Sequence, residues 1–167
     1  MTPADLLTDS LERVRESVEA VLDGLDDDQL TARPAPEANT IAWLVWHLTR
    51  VEDDHFAGVA GHEQVWTADG FARRFDLPFA DEAIGYGQTT EEVGQVRASA
   101  ALLGDYHRAV HASTLDYLSG LGAEDLDRVV DEHWDPPVTL GVRLVSVVND
   151  ATQHVGQAAY VRGLVTR

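Results

Sequence analysis

Asp150 and His154 are the residues whose types and spacing best fit metal chemistry in this sequence. They lie four positions apart in the segment 147–163, whose apolar residues recur at helical spacing. On an α-helix this separation is about 6 Å along the axis and nearly one full turn, so both side chains project from one face. Burying a carboxylate beside an imidazole is costly unless both are paired, and a divalent metal would pair both. The spacing therefore indicates two metal ligands and requires a third from elsewhere.

The third ligand should be a histidine on the inward face of another helix. Among the seven histidines, His47 lies next to Leu48, at the edge of the apolar stripe of a predicted helix, and should face the core or a cavity beside it. The chain has no cysteine, so its metal ligands must be His, Asp or Glu. Two histidines and one carboxylate leave two or three coordination positions open, as a catalytic metal site requires. We therefore predict a metal site formed by His47, Asp150 and His154.

Four residues near the predicted ligands are candidates for substrate binding. Asp54 and His55 lie about 10–12 Å beyond His47 along the same helix. This is too far to bind the same ion but close enough to line the mouth of the metal pocket. Gln157 and Tyr160 lie within two turns of the histidine ligand of the last helix. Either of these two could orient a ligand or contact a substrate, and simple helix packing is the alternative.

Two other polar groups are interpreted as structural. His107 and His111 also have the spacing of four, but only His107 lies on an apolar stripe. We expect the pair to support the fold or the site indirectly, with a direct ligand role as the alternative. The acidic run 52–54 is interpreted as a solvated helix face.

Composition favours a single soluble domain over residues 1–167 and excludes several partners. The formal net charge is -17, and all twelve basic residues are scattered arginines. Nucleic acid and anionic membranes would be repelled by this charge. No apolar run is long enough to span a bilayer and no signal core begins the chain, so we expect a cytoplasmic protein.

Apolar periodicity predicts an all-α fold, a four-helix bundle with helices over residues 3–25, 40–60, 90–121 and 139–164. Thr2 before Pro3, and Thr89 with Glu92 three residues later, are helix-start signals. Long connections separate the second helix from the third and the third from the fourth. The first of these, over residues 61–88, contains aromatic residues that could line a pocket, whereas Val129-Val130 is too short to indicate a sheet.

The segments NTIAWLVWHLTRVEDDHF and DATQHVGQ resemble the DinB/YfiT-like superfamily of metal-binding four-helix bundles. Its members typically place one histidine on the second helix and a His-x-x-x-His pair on the fourth, often continuing as His-x-Gly-Gln. Residues 154–157, His-Val-Gly-Gln, match that continuation, and Asp150 replaces the first histidine of the pair. A carboxylate stands at this place in the related mycothiol-dependent isomerases. The flanking sequence is most similar to an actinobacterial branch of the superfamily.

The resemblance implies an up-down-down-up helix order and is compatible with a homodimer. It also favours one function over the alternatives. The superfamily includes enzymes that use low-molecular-weight thiols such as mycothiol or bacillithiol. The leading hypothesis is therefore a metal-dependent thiol S-transferase, in which the metal activates the thiol for attack on a small electrophile. Zinc is the first choice of metal, with nickel and iron open. A metal-dependent hydrolase, an iron oxygenase and a non-catalytic metal- or ligand-binding bundle are the alternatives, so enzymatic activity itself is not settled by sequence.

Overall fold

A computed structural model describes residues 1–166 and is mostly helical, which confirms the predicted fold class at that level. In chain order the helices are α1 (Pro3–Leu22), α2 (Asp27–Thr31), α3 (Ile41–Ala60), α4 (Val65–Ala68), α5 (Phe71–Phe75), α6 (Thr90–Gln95), α7 (Ala100–Ser119) and α8 (Leu140–Val165). A 3₁₀ helix, Ala123–Asp127, and two short strands, β1 (Val129–Asp131) and β2 (Val138–Thr139), precede α8. Within residues 1–166, no helix is both long and apolar enough to cross a membrane.

The four long helices, α1, α3, α7 and α8, pack around the core. Helix α3 contacts α7 and α8, and α1 contacts the same two helices. Helices α3 and α8 are antiparallel, because His47 lies beside His154 while His55, further along α3, lies beside Arg143, earlier on α8. Residues that are far apart in sequence are thereby brought together along the line where these two helices meet.

The predicted helix starts agree with the capping geometry. The Thr2 hydroxyl accepts from the Asp5 amide, and the Asp5 carboxylate accepts from the Thr2 amide, a capping box that begins α1. Thr89 and Glu92 form the same arrangement at the start of α6. Thr40 caps α3 by accepting from the Trp43 amide at 3.1 Å, and Thr139 precedes α8.

The prediction of one continuous helix over residues 90–121 is wrong. Four residues divide this range into α6 and α7. Among them, Val96 adopts an extended conformation with ψ 100° and is fully buried. Ser99 then caps α7 by accepting from the Leu102 amide at 3.2 Å. The apolar spacing continues across the break, since Val93, Val96 and Leu103 are all buried. Periodicity alone therefore does not reveal the interruption.

The connections contain more regular structure than the sequence indicated. The segment 61–88 holds two short helices, α4 and α5. The connection before α8 contains a small antiparallel pair in which Val129 is opposite Thr139. This hairpin and the 3₁₀ helix both contact α8.

Candidate metal centre

His47, Asp150 and His154 come together where α3 and α8 meet. Each offers a potential ligand atom, and the three atoms lie within 4.8 Å of one another. Nε2 of His154 is 3.6 Å from Oδ1 of Asp150. The rings of the two histidines lie 4.8 Å apart, centroid to centroid, at an interplanar angle of 79°. Over residues 1–166, no other set of three His, Asp or Glu side chains converges in this way.

His47 is held on its inner side by the loop that precedes α6. Its Nδ1 pairs with the backbone carbonyl oxygen of Ile84, and its ring stacks on Trp43 with centroids 4.6 Å apart and an angle of 14°. The pairing with the carbonyl leaves Nε2 as the nitrogen available to a metal. Burial lowers the pKa of His47, although the Ile84 carbonyl opposes this, so the ring is kept in the neutral form that binds metals.

Asp150 and His154 form the more open side of the centre, with about a fifth of each side chain exposed. Nδ1 of His154 pairs with Oε1 of Gln157 at 3.0 Å, which orients the ring and directs Nε2 towards Asp150. The neighbouring Asp150 carboxylate, 3.6 Å away, is the main reason why the pKa of His154 is raised. The second carboxylate oxygen of Asp150, Oδ2, is buried and has no hydrogen-bond partner. Two imidazoles and an unsatisfied carboxylate oxygen fit a borderline divalent cation such as zinc.

The loop that holds His47 is itself fixed by a buried arginine. Arg50, one turn along α3, donates from Nε to the Ala83 carbonyl at 3.2 Å and from Nη2 to the Asp81 carbonyl at 2.8 Å. The guanidinium is fully buried and lies 3.8 Å from the Asp53 carboxylate, which balances its charge. Arg50 therefore fixes the segment immediately before Ile84.

Gly85 allows this loop to approach the histidine. Its φ of +104° favours glycine, and a β-carbon there would meet the ring of His47, with Cγ at 3.1 Å. We expect Gly85→Ala to displace the loop or the ring and to weaken metal affinity about 10- to 100-fold, the usual cost of losing a group that orients a metal ligand. Metal titration with far-UV circular dichroism would measure this.

Gly87→Ala is the matched control. Gly87 also has a positive φ, +71°, but nothing lies within 4 Å of a β-carbon at that position. Backbone strain is therefore common to both variants, and only the contact with His47 differs. Equal metal affinity in the two variants would contradict the proposed role of Gly85.

The predicted substrate-binding residues lie in two clefts, one on each side of the three converging residues. Asp54 and His55 line one cleft together with arginines. Gln157 and Tyr160 line the other, which is mainly apolar. Their function in binding stays a prediction.

Sequence reasoning missed the loop residues that complete the centre. Tyr86 presents its ring to His47 edge-on, with centroids 5.3 Å apart, and is 61% exposed at the mouth. The available signal for these loop residues was Gly85-Tyr86-Gly87, an aromatic residue between two glycines in an aperiodic segment. Most of the aromatic residues expected to line a pocket in this segment are core residues instead, namely Trp66, Phe71 and Phe75.

His107 and His111 lie away from this centre, in the part of the core between α1, α3 and α7. His107 Nε2 is 3.9 Å from a Glu52 carboxylate oxygen, and His111 Nε2 is 3.2 Å from a Glu12 carboxylate oxygen. The interpretation of residues 52–54 as a solvated face is wrong for two of them, since Glu52 and Asp53 are buried.

A family model described as mycothiol-S-transferase (MST) matches residues 6–167. A crystal structure of a conserved protein from Enterococcus faecalis is 35% identical, with 99% of this chain and 98% of that chain covered and a TM-score of 0.93. A DinB-like protein from Bacillus cereus is 22% identical over 93% of this chain and 87% of its own, with a TM-score of 0.59, and supports the fold alone. No curated protein matches.

Proposed function

The chain belongs to the mycothiol-S-transferase family, which is DinB-like, and from that premise we propose that it is a metal-dependent thiol S-transferase. The observation that carries the proposal is the convergence of His47, Asp150 and His154, within the matched region, around an unsatisfied buried carboxylate oxygen. A structural metal would be expected to have a fourth protein ligand. With three, the centre has room for an exogenous one.

The proposed reaction joins the sulfur of a small thiol, mycothiol in the first instance, to an electrophile. A divalent metal held by the three residues would lower the pKa of the thiol and favour the thiolate. Zinc suits the ligand set best, and nickel and iron remain alternatives. The chain contains no cysteine, so the nucleophilic sulfur must arrive with the cosubstrate.

The protein's own residues prepare the site for this reaction. The Ile84 carbonyl and Trp43 hold His47 in one orientation, and Gln157 does the same for His154. Asp150 supplies the only negative charge among the three proposed ligands. Holding ligands in advance limits the reorganisation needed when a thiol binds.

Several finer features belong to the proposal. The up-down-down-up order is supported by the antiparallel arrangement of α3 and α8. Substrate contacts are assigned to Asp54, His55, Gln157 and Tyr160. A homodimer is an expectation carried over from the resemblance, and a cytoplasmic location is one drawn from the sequence.

A conjugation assay with mycothiol and monobromobimane tests the function. The sulfur forms a bond to the bromomethyl carbon, bromide leaves with its electron pair, and the thiol proton is released. We expect a rate above background that is lost on chelation and restored by metal. No metal-dependent rate would contradict the transferase, and turnover of esters or amides without thiol would indicate the hydrolase.

Substitutions of Asp150 test its role as the anionic ligand. Asp150→Asn removes the negative charge, so we expect weaker metal binding, by about tenfold or more, because charge-assisted contacts are the stronger ones. Asp150→His, which restores the more common histidine pair of the superfamily, should recover affinity. Isothermal titration with zinc measures both, and Asp116→Asn, an exposed carboxylate on α7, is the control. Unchanged affinity in Asp150→Asn would exclude this residue as a ligand.

A further inference from the structure

The proposed metal centre lies on the line where α3 and α8 meet. In one direction, His55 and Arg143 approach each other, with Nδ1 and Nη1 3.5 Å apart. They lie about two turns from His47 and Asp150, or roughly 10–12 Å along each helix. In the other direction, Leu44 and Gln157 lie about one turn from His47 and His154, towards the start of α3 and the end of α8.

The cleft on the His55 side, the polar cleft, has a volume of about 550 Å³. Half of its lining residues are charged or polar, namely Asp54, His55, Arg128 and Arg143, and the others are glycine and valine. Arg143 is paired with Asp131 at 2.8 Å. Arg128, by contrast, forms no ion pair within residues 1–166, and its Nη2 donates only over 3.3–3.4 Å to the Tyr117 hydroxyl and the Val59 carbonyl.

Donors and acceptors are balanced in the polar cleft. The Asp54 carboxylate lines the cleft, and the Asp131 carboxylate, outside the lining, pairs with Arg143, so the two guanidinium charges are offset. An anionic ligand would therefore gain little net attraction, whereas hydroxyl groups can accept from guanidinium and donate to carboxylate. The lining suits a neutral, hydroxyl-rich ligand.

The cleft on the Gln157 side, the apolar cleft, has a volume of about 580 Å³. Its lining is mainly apolar and includes Pro34, Ala38, Leu44, Tyr160 and Val161. Gln157 links this cleft to the centre through its bond to His154. Tyr160 is 71% exposed, so its ring is free to cover an apolar ligand.

We infer that the two clefts receive the two substrates of the proposed reaction. The hydroxyl-rich part of the thiol cosubstrate occupies the polar cleft, and an apolar alkyl or aryl electrophile occupies the apolar cleft. The thiol sulfur and the electrophilic carbon then meet at the centre between them. This assignment rests on the proposed transferase function and divides the four predicted substrate-binding residues into two pairs.

Paired substitutions separate the two sites kinetically. Arg128→Gln removes the unpaired guanidinium, and we expect it to raise the KM for mycothiol about tenfold without changing the KM for monobromobimane. Tyr160→Ser removes the exposed ring and should raise the KM for monobromobimane several-fold, leaving the KM for mycothiol unchanged. Arg73→Gln, an exposed arginine outside both clefts, should change neither.

A binding measurement separates failure of the assignment from failure of the function. S-methyl mycothiol cannot form a thiolate, so calorimetric binding of it reports the cleft without conjugation. Binding that is weakened about tenfold in Arg128→Gln and unchanged in Tyr160→Ser supports the assignment, provided circular dichroism shows both variants folded. The assignment is overturned if the wild type is active but the two variants change both KM values equally, or each changes the KM of the other substrate. Tighter binding of the anionic thiol bacillithiol than of mycothiol would also overturn it. A wild type that neither conjugates nor binds the analogue overturns the function itself.

Discussion

Replacing His154 with alanine is expected to abolish metal binding while leaving the helical fold intact. Only Asp150 and His47 would remain as ligands, on different helices, and the carboxylate would be the only anchor on α8. The fold should survive because His154 is partly exposed and the core is formed by apolar side chains of the long helices. Elemental analysis of protein purified without a polyhistidine tag would show the loss, and far-UV circular dichroism would show the retained helices.

His62→Ala provides the control for this experiment. His62 is exposed, and its Nδ1 contacts only the neighbouring Glu63 carbonyl. Its replacement should leave one metal per chain. A stoichiometric metal content in His154→Ala would contradict the proposed ligand set.

Stability should fall as pH rises from about 4.5 to about 7 because of Glu52. This side chain is fully buried, and burial raises its pKa to about 7 against the weaker opposing effect of the Thr114 hydroxyl. Nearby His107 offers no compensating charge, since burial lowers its pKa to about 3. The raised pKa of Glu52 makes the protonated form the stabilising one. Its contribution is complete below pH 4.5, declines above it, and is lost as pH rises past 7.

The expected size of this effect is about 3 kcal/mol, from the difference between pKa values of 4.5 and about 7. Glu52→Gln keeps a neutral side chain at every pH, so the variant should be the more stable protein at pH 8 and nearly equal to the wild type at pH 4.5. Urea unfolding at several pH values would give both free energies of unfolding. Glu16→Gln, at an exposed position on α1, is the control. Parallel pH profiles for the wild type and Glu52→Gln would contradict a buried, protonated Glu52.

The convergence of His47, Asp150 and His154 was predictable because two of the three share one helix face. A spacing of four fixes their relative position whatever the tertiary structure. His47 required more, since its pairing with α8 depends on how the helices pack, and the resemblance to a known superfamily supplied that information. The roles of Ile84 and Gly85 could not be predicted, because a backbone carbonyl has no sequence signature and the loop has no periodicity.

The burial of Glu52 and Asp53 was not predicted, for a related reason. An acidic run on an amphipathic helix is usually solvated. Here α3 is surrounded by α7 and α8, and the connection 61–88 covers another side, where Asp53 accepts from the Val65 and Trp66 amides. A helix covered in this way has little surface exposed to solvent. The local sequence pattern of a helix does not indicate which of its faces a long connection will cover.

The most direct test of the central claim is zinc K-edge X-ray absorption on the zinc-loaded protein with and without mycothiol. The chain has no cysteine, and its single methionine is Met1, which is 94% exposed at the N-terminus. Any sulfur bound to zinc must therefore come from the thiol. We expect only nitrogen and oxygen neighbours without thiol, and one additional sulfur at about 2.3 Å when mycothiol is present. A zinc environment that contains no sulfur at saturating thiol would contradict metal activation of the cosubstrate.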